Sequence, residues 1–128
     1  MSYKAITNRS SKQYKLQQIA STGTYGIRIV DSRYLVAIGT AFNAEVGTYI
    51  DLILEDGFVI PCIVGDVKSP RHTDSSNMIT MHNGCVSEFI IDSKALHKSI
   101  KKSGDVSSCN ENWNGCVRAI VVYSKSAL

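Results

Sequence analysis

Residues 47–64 read GTYIDLILEDGFVIPCIV. Gly47 to Leu54 and Phe58 to Val64 are rich in β-branched and aromatic residues, and Glu55-Asp56-Gly57 stands between them. An Asp-Gly step between hydrophobic arms is a strong short-range hairpin signal, because glycine takes the positive φ that a tight turn needs. Working towards the N-terminus, Ile27, Ile29, Tyr34, Val36 and Ile38 alternate with smaller or polar neighbours and are interrupted by Asp31-Ser32-Arg33. That pattern predicts two short strands around a turn. Residues 1–22 are polar, with Lys4, Arg9, Lys12 and Lys15, and read as a lead-in or linker to a domain over 23–128.

Towards the C-terminus the apolar pattern stops after Gly65, and Asp66 to Asn77 has the composition of a loop. A polar loop directly after a buried strand is a common seat of function. Met78 to Met81 predicts a brief strand, His82-Asn83-Gly84 a turn, and Val86 to Ile91 another strand ending at Asp92. Ser93 to Lys102 is expected as the one substantial helix, with Gly104 as its stop, and Val117 to Tyr123 as the closing strand.

A chain of 128 residues with 44% hydrophobic and 20% charged residues has the size and composition of one globular domain. Its net charge of +3 is far from the concentrated basic stripe that nucleic acid binding demands, so no nucleic acid partner is expected. Lys94, Lys98, Lys101 and Lys102 read as a solvated helix face. The chain offers neither an apolar run long enough to span a bilayer nor the apolar core of a secretory signal. Insertion into a membrane and secretion by that route are therefore not expected. None of Cys62, Cys85, Cys109 and Cys116 forms a C-x-x-C pair, so neither metal nor redox cofactor is expected. Cys62 reads as a small core residue, and Cys109 and Cys116 flank a turn where an oxidising compartment would allow a disulfide.

Gly65-Asp66-Val67-Lys68, then Phe89-Ile90-Ile91-Asp92, then a helix, then Gly115 to Tyr123 follow one another in an order that resembles the three-aspartate domains of Firmicutes. The same order resembles the barrel of the membrane-bound lytic transglycosylase A type. Val36-Ala37-Ile38-Gly39-Thr40 and Val46-Gly47-Thr48-Tyr49-Ile50 are similar to that family's opening strand and turn. Val67-Lys68-Ser69 stands where the family carries a Gly-rich loop. The resemblance implies a mostly β fold, a six-stranded double-psi β-barrel with one helix before the last strand. It also implies cleavage of peptidoglycan glycan strands, in a phage tail or cell-wall-associated protein with other tail or wall domains as partners. Asp92 would be the general acid and then base and Asp66 its orienting neighbour, while Asp74, in the His72 to Asn77 stretch and matched to no family position, is a candidate third acid. Lys68, His72, Glu88 and Tyr49 would hold the glycan, with no cofactor.

Other readings of these residues stand beside that one. Asp92 is placed to cap the following helix, Asp66 to make a turn, and Asp74 to sit solvated in its loop. Tyr49, Trp113 and Tyr123 either stack on sugar rings or fill the core. A non-catalytic glycan-binding or structural module would use aromatic and polar residues in a shallow groove, with its acids capped or solvated. A cysteine hydrolase using Cys62 or Cys85 with His72 or His82 would need an exposed thiolate beside a base.

Overall fold

A computed structural model describes residues 1–108 and 110–128, apart from the side chain of Ser108. Cys109 lies outside the described residues, and with it the expected Cys109–Cys116 pairing. The described residues fold into one mixed sheet of seven strands: β1 (Ser21–Thr22), β2 (Arg28–Val30), β3 (Arg33–Gly39), β4 (Thr48–Leu54), β5 (Val59–Lys68), β6 (Ser87–Phe89) and β7 (Val117–Ser126). Their order is β1-β2-β3-β5-β4-β7, with β6 on the β2 side of β3. The mostly β expectation holds, but the sheet has seven strands and does not close into a barrel.

The hairpin forms as its residues predict, with Ile53 opposite Val59 and Gly57 at φ 88° in the turn. Pro61 pairs with Asp51 of β4, and the parallel ladder from β5 to β3 begins one residue later, at Cys62. The proline therefore sits where β5 has a neighbour on one side only. Alternation along β4 sends Ile50, Leu52 and Leu54 to one face, where they join Val36, Ile38, Ile60, Cys62 and Val64. The opposite face gathers Leu35, Tyr49, Ile63 and Ile90.

Leu16 covers that second face from helix α1 (Lys12–Ile19). The segment expected as a polar lead-in is thus packed against the sheet. Arg28 is buried there, with Nε donating to Gln17 Oε1 at 3.0 Å and its other nitrogens to Thr22 Oγ1 and to the carbonyls of Gln17 and Ala20. An arginine taken out of water needs such a full set of acceptors.

The expected helix over Ser93 to Lys102 is shorter, α2 (Lys98–Ser103), capped by His97, whose Nδ1 accepts from Ser99 N. Residues 93–95 form a turn instead. The brief strand expected at Met78 to Met81 is reduced to a bridge between Thr73 and Thr80. Asp66, expected at the start of a loop, lies inside β5, which runs on to Lys68. No helix among the described residues is long and apolar enough to cross a membrane.

Candidate functional site

Asp66 owes its position to a bulge. Val36 pairs with Val64 but Ala37 pairs with Asp66, so Gly65 is an extra residue in β5. Side chains alternate along a strand, so without that insertion Asp66 would point into the core beside Val64. With it, Asp66 shares a row with Ala37 and, across β3, with Glu88 of β6. Both carboxylates stand on the α1 side of the sheet, where Asp66 Oδ1 accepts from Gln13 Nε2 at 3.1 Å.

Glu88 is 8% exposed and lies between the cations of Lys68 and Met1, with the His82 imidazole farther off. Lys68 Nζ is 2.9 Å from Oε2, the α-ammonium of Met1 is 2.9 Å from Oε1, and His82 Nε2 is 3.9 Å from Oε1. Burial alone pushes this carboxyl up, but the hydrogen bonds and charges of Met1 and Lys68 outweigh it and hold Glu88 below the usual glutamate range. Glu88 and Lys68, two residues singled out in the sequence, are therefore in direct contact.

The other acids have separate partners. Asp92 accepts from Lys94 N at 3.1 Å and from Thr22 Oγ1 at 3.4 Å, and its own N–H donates to Gly26 O at 2.8 Å. It caps the turn over residues 93–95 rather than a helix. Among the described residues no hydrogen bond joins Asp66 to Asp92. Asp74 is exposed and accepts from Ser76 Oγ at 2.7 Å, Ile79 N at 3.1 Å and Met78 N at 3.2 Å. Those bonds, the one from Ser76 foremost, hold its carboxyl below the usual range. His72 is exposed, and its backbone ties the loop through Ser69 and Met81.

Cys62 is buried, and burial pushes its thiol far up. Burial raises the Cys85 thiol as well. Both shifts oppose the exposed thiolate that a cysteine hydrolase needs. Among the described residues no group of three or more His, Cys, Asp or Glu side chains is arranged to hold a metal ion.

Tyr49 belongs to a second constellation. Asp31, Arg33, Tyr49, Tyr123 and Lys125 line a shallow cleft of about 290 Å³. The β2–β3 turn, with Asp31 at φ 51° and Ser32 at φ 60°, presents Asp31 to the Tyr49 hydroxyl, which donates to Oδ2 at 2.5 Å. Arg33 Nη1 reaches Asp51 Oδ1 at 2.9 Å and the carbonyls of Ile50 and Cys62, and its guanidinium stands 5.0 Å from the Tyr49 ring centre. Tyr123 donates its hydroxyl to Asp51, and Lys125 Nζ lies 4.8 Å above the Tyr49 ring. The bonds to Asp31 and Asp51 push the hydroxyls of Tyr49 and Tyr123 up from their ordinary values.

Sequence reading singled out Tyr49 and Tyr123 but neither Asp31, Arg33, Asp51 nor Lys125. Asp31 and Arg33 signal themselves only as a charged turn between strands, Asp51 and Lys125 lie within β4 and β7, and the pairing of those two strands that joins the tyrosines is non-local. Trp113 is half-buried in an aromatic cluster, stacked on Phe89 with ring centres 5.4 Å apart and edge-on to Tyr34 at 4.9 Å. No known protein family, curated protein or solved structure matches the chain.

Proposed function

We propose that this chain is a non-catalytic module that binds peptidoglycan glycan strands in a phage tail or cell-wall-associated protein, on an opened relative of the double-psi β-barrel. The observation that carries the choice is the state of the acids. A general acid must hold its proton near neutral pH, so its carboxyl has to be shifted up. Glu88 and Asp74 are both shifted down, and the Asp92 carboxylate is occupied by Lys94 N–H and Thr22. The cleft at Tyr49 and Tyr123 supplies what binding needs: the exposed Tyr123 for a sugar face, cations for the peptide carboxylates, and acceptors for hydroxyl and amide groups. The parallel pairing of β3 with β5 supports the fold assignment.

Sedimentation with insoluble Gram-positive peptidoglycan, with mass analysis of the supernatant, tests this reading. The protein is expected to co-sediment and release no fragments, and Lys125→Ala is expected to weaken binding about tenfold, the scale of one charge-assisted contact. Soluble anhydro-sugar or reducing-end fragments would overturn it in favour of cleavage. On that second reading Asp92 is the general acid, and Asp92→Ala would abolish release. Failure to co-sediment with no fragment released would sink both.

A further inference from the structure

β7 is hydrogen-bonded to β4 along one edge, and among the described residues no strand pairs with the other. Its ladder with β4 is regular from Ala119 to Val122 and irregular on both sides. This open edge is apolar: Val121, Val122 and Tyr123 are 36%, 46% and 41% exposed, and the run contains no proline. An unpaired edge of that character is a template for another strand, and proteins ordinarily blunt it with charge, proline or a cover.

We infer that β7 pairs antiparallel with β7 of a second copy, about a twofold axis through Val121. The choice of occupant rests on how the strand complements itself. In an antiparallel pair centred on Val121, Ile120 faces the second copy's Val122 and Ala119 faces its Tyr123. Each contact is apolar, and the second sets a small side chain against a large one. Arg118 faces Ser124 and Lys125 faces Val117, so no two cations are opposed. A parallel pair in register would instead set Arg118 against Arg118 and Lys125 against Lys125, which destabilises a sheet.

Ile120 and Val122 pair with Leu52 and Ile50, so the new contact extends the apolar face that those residues already build. The far end of the sheet is β1, of two residues, which offers no comparable edge. Pairing through β7 is therefore isologous and closes at two copies instead of propagating into a fibre.

Sedimentation equilibrium over a concentration series reads the outcome directly. The wild-type chain is expected at twice its 14.0 kDa, and Val121→Lys at the single-chain mass with an unchanged far-ultraviolet spectrum. Opposed Cα atoms in such a pair lie about 4.5–5.5 Å apart, within the span of a disulfide. Val121→Cys, with Cys85, Cys109 and Cys116 replaced by serine, is thus expected to cross-link on oxidation, whereas Ser124→Cys in the same background is not. This second variant decides the matter if Val121→Lys does not fold. A wild-type chain that stays at 14.0 kDa to its solubility limit, or a Val121→Cys protein that fails to cross-link, would overturn the inference. Tyr123 and Lys125 of β7 also line the Tyr49 cleft, but mass in the absence of glycan reads pairing and co-sedimentation reads binding, so failure of one is distinguishable from failure of the other.

Discussion

Gly65 is the residue on which the placement of the acids turns. A Cβ built there would lie 2.4 Å from Ile90 Cδ1 and 3.3 Å from Leu35 Cβ, two side chains of the buried face under α1. Gly65→Ala is expected to cost about 2 kcal/mol, the ordinary penalty for overfilling a packed core. In urea unfolding this reads as a lower midpoint with an unchanged slope. The pair Gly65-Asp66 was visible in the sequence as a turn-like step, and a bulge is made from the same residue types. What separates the two is the partner strand: the extra residue exists only relative to β3, whose register is set from far away in the chain. The same limit applies to Asp92. An acid before a helix-like stretch reads as a helix cap, and only the packing of Gly26 against Ala95 and Leu96 shows that the backbone turns first.

Among the elements, the β4–β5 hairpin was legible as far as Val64, because alternation and an Asp-Gly turn are local properties. Helix α1 was not. Lys12-Gln13-Tyr14-Lys15-Leu16-Gln17-Gln18-Ile19 has one well-buried apolar side chain and no apolar stripe, so its stability is tertiary. Ser11 caps it by accepting from Tyr14 N, but the anchor is Leu16 on the sheet. Leu16→Ala is expected to cost about 3 kcal/mol, as buried leucine truncations do. If α1 is held chiefly by that contact, amide exchange in Lys12–Ile19 accelerates more in this variant than exchange in β5. Equal acceleration of both would show that α1 and the sheet open together.

At the scale of the whole molecule, the parallel and non-sequential pairings that join β3 to β5 and β4 to β7 decide whether the sheet closes, and no local pattern encodes them. The same non-local pairings create two charge clusters that bracket stability in pH. Glu88 is held below its usual range, so the stability it supplies is complete above the unfolded value near pH 4.3 and is lost as pH falls through the lower folded value. Tyr49 is held above its usual value, so its contribution is complete below about pH 10 and is lost as pH climbs through the raised folded value. Glu88→Gln leaves Lys68 without its counter-ion in a half-buried site and is expected to cost about 3 kcal/mol at pH 7, with the gap to wild type narrowing towards pH 3. Tyr49→Phe removes one hydroxyl bond and costs about 1 kcal/mol at pH 7, with its gap narrowing as pH climbs through the raised tyrosine value. Thermal midpoints measured across pH for both variants check the pair together. If the gap between Tyr49→Phe and wild type stayed constant as pH climbed above about 10, the Tyr49–Asp31 bond would not be the group that sets the alkaline limit.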